Sequence, residues 1–275
     1  MSQTSKLSLL SLSLLALAVV LLAGRDQLSG DDSAAAGAAA APPATAVVEL
    51  FTSQGCSSCP PADRLLTRLA EDAGYEGRVI PLSFHVDYWN HIGWTDPFSS
   101  RRWSDRQRAY ARRAPARGRI YTPQVVVDGR GEVVGSHEGA VRASIAAALA
   151  REPGARVRLD LGTERQGRLP LRAGAQVVRD AGEGELELWV AVFERALVTR
   201  VGAGENAAAT LRNDHVVRDL QRVLTVPARG GPPRSAAVTL NLQPAWKRQH
   251  LGVAAFLQHP GTLAIHGAVA RDLLP

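Results

Sequence analysis

The sequence predicts an α/β layer in the first half of the folded chain, followed by a smaller, all-β, sandwich-like domain. Up to Ala150, short apolar segments of strand type alternate with segments of helical periodicity, which is typical of α/β folds. From Ala155 the pattern changes to short alternating segments separated by glycine and proline, which is typical of β-sandwiches. The chain has 275 residues, of which 45% are hydrophobic, so both domains have enough apolar material for a core.

The N-terminal 45 residues are expected to lie outside the fold. Residues 1–24 contain Lys6 and then an uncharged apolar run, Leu7–Ala23, which is typical of an export signal. The run is slightly shorter than a bilayer span of about 20 residues, so a cleaved signal peptide and an uncleaved N-terminal anchor both stay open. Residues 25–45 have no periodicity and predict a flexible tether. We therefore expect a periplasmic or secreted protein.

The first domain is expected over residues 46–152, in the order β-α-β-α-β-β-α. Its strands are short runs rich in apolar and β-branched residues, at Ala46–Phe51, Arg78–Phe84, Gln124–Asp128 and Glu132–Gly135. Its helices are marked by helical periodicity and N-terminal proline or capping residues, at Pro60–Gly74, Ser99–Ala114 and from Ser136 or His137 to Ala150. The Gly129–Gly131 turn makes a hairpin of the last two strands.

The second domain is expected over residues 153–275. Apolar and polar residues alternate in its strand segments, at Arg156–Leu161, Leu186–Val192, Val238–Leu242, Gly252–Gln258 and Thr262–Val269. We expect Leu211–Val223 to form a short helix or an irregular crossover.

The charge pattern does not favour a nucleic-acid partner. The net charge is +6, and all basic residues except Lys6 and Lys247 are arginines that are interleaved with 26 acids. Only Arg101–Arg119 is locally basic, and we expect it to be a solvated helix face.

Cys56 and Cys59 are the only cysteines, and they lie between a predicted strand and a predicted helix. A bridge that closes a four-residue loop stabilises a fold by only about 2 kcal/mol, which argues against a structural staple. A closed zinc site needs four ligands, of which this pair supplies two. We therefore favour a redox-active dithiol, while an inert bridge and a metal site stay open as alternatives.

The helix that follows suggests a role for each thiol. Cys56 precedes the helix N-terminus, where free N–H groups and the macrodipole favour a thiolate. We expect it to be the exposed nucleophile. Cys59 is expected to be more buried and to close the disulfide as the resolving thiol.

Several longer motifs around these cysteines resemble a bacterial family of exported thioredoxin-like proteins that carries a domain-of-unknown-function label. They are Val47–Asp63, Ser83–Trp89, Gly93–Phe98, Arg106–Tyr110 and Tyr121–Gln124, with Gly204–Asn206 and Leu211–Arg218 in the second half. The resemblance implies a thioredoxin-like fold for the first domain and no settled substrate. It also implies that Thr122 precedes a cis-proline, Pro123, beside the dithiol, and that Glu205, Asn206 and 213–215 line the interface between the two halves.

Four further residues are expected to bind the substrate. His85, Asp87 and Trp89 follow the second strand, at the sheet end from which Cys56 also emerges and where open α/β sheets place their ligands. Tyr121 belongs to the motif of Thr122 and Pro123. His85 is a candidate proton acceptor for Cys59 or a metal ligand, although a histidine hydrogen-bonded beneath capping aromatic residues fits the same pattern. Asp63, one turn into the helix, either contacts the site or favours the helix N-terminus.

Together these observations predict an exported thiol–disulfide oxidoreductase that acts on protein or small-molecule thiols and disulfides, with no cofactor, resident metal or nucleic-acid partner. Contact with a membrane is expected only through an uncleaved N-terminal segment. Two alternatives use other chemistry: copper(I) binding by Cys56 and Cys59 with His85, and a non-catalytic partner-binding module.

Overall fold

The computed structural model describes residues 43–75, 77–113 and 118–274. The helices there are α1 (Pro60–Glu71), α2 (Arg101–Arg113) and α3 (Glu138–Leu149), with short 3₁₀ turns at Ala73–Tyr75, Asn90–Ile92 and Arg248–His250. The strands are β1 (Ala46–Thr52), β2 (Val79–His85), β3 (Gln124–Val127), β4 (Gly131–Val134), β5 (Ala155–Leu161), β6 (Arg168–Val177), β7 (Glu185–Glu194), β8 (Leu197–Arg200), β9 (Thr210–Asn213), β10 (Val216–Pro227), β11 (Arg234–Asn241), β12 (Leu251–Gln258) and β13 (Ile265–Asp272).

One mixed sheet of eight strands runs through both halves of the chain, in the order β13-β12-β7-β10-β2-β1-β3-β4. Within it β1 is parallel to β2 and antiparallel to β3. The two halves join where β10 lies parallel to β2, with Val216 opposite Ser83 and the Ser83 N–H donating to the His215 carbonyl at 2.8 Å. A three-stranded sheet (β11-β6-β5) and a two-stranded sheet (β8-β9) complete the strand structure of the described residues.

The predicted fold class, a thioredoxin-like α/β domain followed by a sandwich-like domain, is wrong. Strands β7, β10, β12 and β13 of the second half continue the sheet of β1–β4 instead of forming a separate sandwich. The physical reason is that β2 has a hydrogen-bonding edge that β1 leaves unpaired, and β10 covers it.

The segment that makes this junction was also predicted wrongly. Leu211–Val223, expected as a helix or crossover, belongs to β9 and the long strand β10. Two register shifts, between Val217 and Asp219 and between Arg222 and Leu224, interrupt the pairing of β10 with β7. Such bulges break the period-two alternation by which a strand is recognised in a sequence.

The large sheet is covered on both faces. On one face, α1 and α3 pack against Val48 and Leu50 of β1, and the three-stranded sheet packs against β7 and β12. On the other face, Trp103 and Tyr110 of α2 lie in one apolar cluster with Phe84 from the first half and Phe256 from the second. Helix α2 therefore helps to join the two halves.

Arg101–Arg119 is not simply a solvated face, because Arg106 of α2 points into the core. Its Nε lies 2.6 Å from Glu49 Oε1, and the Glu49 side chain is fully buried. Arg106 also donates to Gln258 Oε1 at 3.3 Å and to the Tyr110 hydroxyl at 3.0 Å. Burial disfavours the charged guanidinium, but the Glu49 carboxylate outweighs this and raises the pKa of Arg106.

None of the helices among the described residues has the length and apolar character needed to cross a bilayer. The expected export segment, residues 1–24, and nearly all of the expected tether, residues 25–45, lie outside the described residues.

Candidate functional site

Cys56 and Cys59 form a disulfide with a Cα–Cα distance of 5.5 Å, at the junction between β1 and α1. Strand β1 ends at Thr52, and Cys59 is the N-cap residue of α1. Pro60 and Pro61 occupy the first helical positions, where a missing N–H costs nothing. The predicted strand–loop–helix setting of the two cysteines is confirmed.

Backbone hydrogen bonds shape the loop that carries the disulfide. The Cys56 N–H donates to the Ser53 carbonyl and the Cys59 N–H to the Cys56 carbonyl, each at 3.2 Å. The Cys59 carbonyl accepts the N–H of Asp63 at 3.1 Å, which begins the ladder of α1. These turns bring the two sulfur atoms together at the start of the helix.

Both cysteines are fully buried, whereas Ser57 and Ser58 between them are exposed. We expected Cys56 to be exposed, and for the disulfide form this expectation is wrong. Neighbouring residues approach the loop closely: a Cβ on Gly55 would lie 3.3 Å from both Trp89 Cβ and Ile92 Cδ1. Direct access to the disulfide therefore requires displacement of a neighbouring segment.

A buried ion pair lies beside the disulfide loop. His85, the last residue of β2, has its Nδ1 2.7 Å from Asp96 Oδ2, and both side chains are fully buried. The same Asp96 oxygen accepts the backbone N–H of Gln54 at 2.8 Å. Burial disfavours both charges, but their mutual attraction outweighs it, so the pKa of His85 is raised and that of Asp96 is lowered.

Asp63 is a second buried carboxyl on the disulfide side of α1. It lies one helical turn after Cys59 and is 7% exposed. Burial raises its pKa to about 6, although the charge of His85 opposes the shift. Asp63 Oδ1 and His85 Nε2 both lack a hydrogen-bond partner among the described residues. A buried carboxyl that titrates near neutral pH is suited to proton transfer.

A hairpin from the second half contacts the disulfide loop. We call residues 201–209, which connect β8 to β9, the hairpin loop. Glu205 Oε2 accepts the Ser57 N–H at 2.9 Å. Asn206 Nδ2 donates at 2.9 Å to the carbonyls of both Gln54 and Cys56. The expectation that Glu205 and Asn206 line the contact between the two halves is confirmed.

Asn213, which ends β9, strengthens the same contact. Its Oδ1 accepts a hydrogen bond from Gln54 Nε2 at 2.9 Å, and Gln54 Oε1 accepts one from Trp94 Nε1 at 3.2 Å. Gln54 therefore joins the disulfide loop to β9 and to the loop after β2.

The peptide bond between Thr122 and Pro123 is cis, as expected. Gln124, the next residue, pairs with Phe51, so Pro123 lies beside the end of β1 that leads to the cysteines. Thr122 Oγ1 accepts a hydrogen bond from Trp89 Nε1 at 2.8 Å. These contacts place Thr122, Pro123 and Trp89 around the disulfide loop.

The other expected binding residues have partners elsewhere. Asp87 accepts a hydrogen bond from the hydroxyl of Ser104 and donates its backbone N–H to the same oxygen at 3.1 Å, which ties it to α2. The Tyr121 carbonyl accepts a hydrogen bond from Gln107 of α2 at 2.7 Å. Burial raises the pKa of Tyr121, so its hydroxyl stays protonated.

Sequence reasoning did not select Gln54 or Asp96 as site residues. Both lie inside the quoted motifs, but their hydrogen-bond partners are distant in the sequence. Gln54 is 42 positions from Asp96 and 159 positions from Asn213, and Asp96 is 11 positions from His85. No local pattern encodes contacts of this kind. Among the residues that the structure describes, no three His, Cys, Asp or Glu side chains are grouped to hold a metal ion.

Two solved structures are similar to this chain over most of its length. The Agrobacterium tumefaciens protein AGR_C_4864 has 32% identity and a TM-score of 0.62, covering 84% of this chain and 95% of that chain. HBP35 of Porphyromonas gingivalis has 16% identity and a TM-score of 0.63, covering 84% of this chain and 76% of that chain, and it supports the fold alone. The search of curated proteins found no match.

The profile of a protein family described as "Protein of unknown function (DUF1223)" matches residues 47–258. This range contains the disulfide, the buried Asp63–His85–Asp96 group and the hairpin loop. The match covers well over half of the sequence, and the chain therefore belongs to the DUF1223 family.

Proposed function

We propose that the protein is a thiol–disulfide oxidoreductase that acts outside the cytoplasm through Cys56 and Cys59. The observation that carries the proposal is the combination of a CxxC disulfide at a helix N-terminus with a buried, ionisable carboxyl one turn away. A staple that closes so short a loop stabilises by only about 2 kcal/mol, and it needs no titratable neighbour.

The proposed exchange is balanced within the dithiol and its substrate. A substrate thiolate attacks Cys56 Sγ, the bond between the two cysteine sulfurs breaks, and Cys59 leaves with the electron pair and takes up a proton. A second substrate thiolate then attacks the substrate sulfur of the mixed disulfide and releases Cys56. The substrate dithiol is oxidised to a disulfide by loss of two electrons, and the cysteine pair is reduced; the reverse sequence reduces a substrate disulfide.

Asp63 is the proposed proton donor to Cys59 in the first step and its proton acceptor in the reverse step. The two residues share a backbone hydrogen bond across one turn of α1. The pKa of about 6 gives both protonation states of Asp63 near neutral pH, as a proton carrier requires. The buried His85 imidazole, held by Asp96, supplies the opposite charge when Asp63 is ionised.

The surface around the loop supports a protein or small-molecule substrate. Ser57 and Ser58 are exposed and mark the accessible edge of the disulfide loop, with Trp89 and Thr122 at its side. Exchange between sulfur atoms requires no cofactor. A periplasmic or secreted location is part of the proposal, because disulfides persist in oxidising compartments and the N-terminal sequence is typical of an export signal.

The proposal is tested by equilibrating the purified protein with reduced and oxidised glutathione and quantifying the Cys56–Cys59 disulfide. We expect a measurable equilibrium for the wild type, a trapped mixed disulfide for Cys59→Ser, and no exchange for the double change Cys56→Ser, Cys59→Ser. A disulfide that neither glutathione nor dithiothreitol reduces in the folded protein would refute redox activity and leave a non-catalytic binding module.

Copper(I) binding is a second candidate, favoured by one observation. His85 Nε2 is buried without a hydrogen-bond partner among the described residues, and the two thiolates of reduced Cys56 and Cys59 are soft ligands that suit copper(I). Titration of the reduced protein with copper(I) against a chromogenic chelator tests it. Tight binding that weakens in His85→Ala, together with no glutathione equilibrium, would favour copper handling over exchange.

A further inference from the structure

The negative charge of Glu205 lies directly at the disulfide loop. Its carboxylate accepts the Ser57 N–H at 2.9 Å, although the two residues are 148 positions apart. Glu205 is exposed, and within the described residues it forms no salt bridge. The protein thus places a carboxylate that has no salt-bridge partner among the described residues at Ser57, the residue next to Cys56, while its net charge is +6.

The Ser57 N–H that Glu205 occupies belongs to the group of donors that precede α1. Free N–H groups at a helix start stabilise a thiolate, and a nearby carboxylate destabilises one. Glu205 therefore destabilises a Cys56 thiolate for two reasons: its carboxylate occupies the Ser57 N–H, and it adds a second negative charge nearby.

Other contacts hold Glu205 in this position. Asn206 bridges the carbonyls of Gln54 and Cys56, on both sides of the turn. Gly204 has a φ of +78°, and a Cβ there would lie 3.1 Å from Ile92 Cδ1. The hairpin loop is therefore packed against the disulfide loop by hydrogen bonds and by close apolar contact.

We propose that Glu205 is a positioning residue that keeps Cys56 weakly reactive in the free protein and that selects substrates with a positive charge beside the reacting sulfur. A cationic group on the substrate would pair with the carboxylate and offset its effect on the thiolate. This inference rests on the proposed function and names its substrate class: thiols and disulfides of basic peptides or amines.

The test compares two small disulfides of opposite charge, cystamine and dithiodipropionate, as oxidants of the reduced protein. The rate of cystamine with a model thiol gives its intrinsic reactivity. We expect the wild type to react with cystamine about five- to ten-fold faster than this intrinsic reactivity predicts. In Glu205→Gln this preference should disappear. The alkylation rate of Cys56 with neutral iodoacetamide near pH 7 should rise about three- to ten-fold in the same variant.

Matched controls separate charge from structure. Glu183→Gln removes an exposed carboxylate from another loop, where Glu183 pairs with Arg229. It should change neither the preference for cystamine nor the alkylation rate of Cys56. Wild-type protein in 1 M salt should lose most of the cystamine preference without any mutation, because salt screens exposed charges. This arm tests the inference even where Glu205→Gln does not fold.

The outcomes distinguish the inference from the proposed function. If neither disulfide oxidises the reduced wild type, the proposed function fails. If both do, and the charge preference is absent or is the same in wild type and Glu205→Gln, the proposed function stands and the role of Glu205 is refuted.

Discussion

Asp63 offers the sharpest test of the site. Because its carboxyl is buried, the ionised form of this proposed proton carrier should make the folded protein less stable. The change is Asp63→Asn, which keeps the shape of the side chain and mimics its protonated form. Burial raises the pKa of Asp63 to about 6 from an ordinary value of 3.8. An acid whose pKa is raised in the folded state contributes its full stabilisation at a pH below its pKa in the unfolded state. This contribution is lost as the pH rises through its pKa in the folded state.

The pKa difference sets the magnitude. Above pH 6 the carboxyl is ionised in both states, and the folded protein bears a penalty of about 3 kcal/mol relative to pH below 3.8. Asp63→Asn removes this penalty. We expect the variant to be more stable than wild type by up to about 3 kcal/mol at pH 8 and by about half as much at pH 5.

The assay is urea unfolding of oxidised wild type and variant at pH 5 and pH 8, followed by exchange with glutathione at pH 7. Exchange should be slower in the more stable variant, since a functional group has been lost. Asp105→Asn, an exposed carboxyl on α2, is the control and should leave the pH dependence unchanged. A variant that is less stable than wild type at pH 8 would refute the argument that burial of the ionised Asp63 carboxylate destabilises the folded protein.

Three further predictions concern the fold around the site. Glu49→Gln leaves the Arg106 charge buried without its partner and should lower the free energy of unfolding by about 3–5 kcal/mol; a loss below about 1 kcal/mol in urea melts would contradict this. The double change Cys56→Ser, Cys59→Ser should cost about 2 kcal/mol or less, and unfolding at room temperature would show that the disulfide is structural. Gly129→Ala should lower the melting temperature strongly, because its φ is +64° and the new Cβ would overlap a backbone carbonyl oxygen; an unchanged melting temperature would show that the hairpin adapts.

The burial of both cysteines changes how the site is expected to work. In the disulfide form, Trp89, Ile92 and the hairpin loop surround the segment that carries Cys56. In the proposed exchange, a substrate sulfur would therefore reach Cys56 only when one of these segments moves. The polar contacts of Glu205 and Asn206 are the ones that water or a substrate can replace most readily, since hydrogen bonds exchange with little net cost.

Local patterns in the sequence were sufficient for the individual elements near the disulfide. Proline at the helix start, the apolar stripe after it and the β-branched runs correctly predicted α1, β1, β2 and β3. The same patterns predicted that Cys56 and Cys59 lie at a strand–helix junction and that Thr122–Pro123 precedes a strand. These features depend on interactions within a few residues, which a sequence displays directly.

The tertiary structure alone decided the architecture and the electrostatics of the site. Strand β10 pairs with β2 and merges the two halves into one sheet. The sequence does not show this pairing, because the bulges after Val217 and Arg222 break the alternation of β10. In addition, any edge strand offers the same backbone donors and acceptors, so the sequence does not indicate which strands pair. That Glu205 meets Ser57 and Asp96 meets His85 depends on the folding of distant segments onto each other. Side-chain burial and charge proximity are properties of the whole packed chain, so the strand–helix setting of the cysteines could be predicted from the sequence, whereas the charged groups that surround them could not.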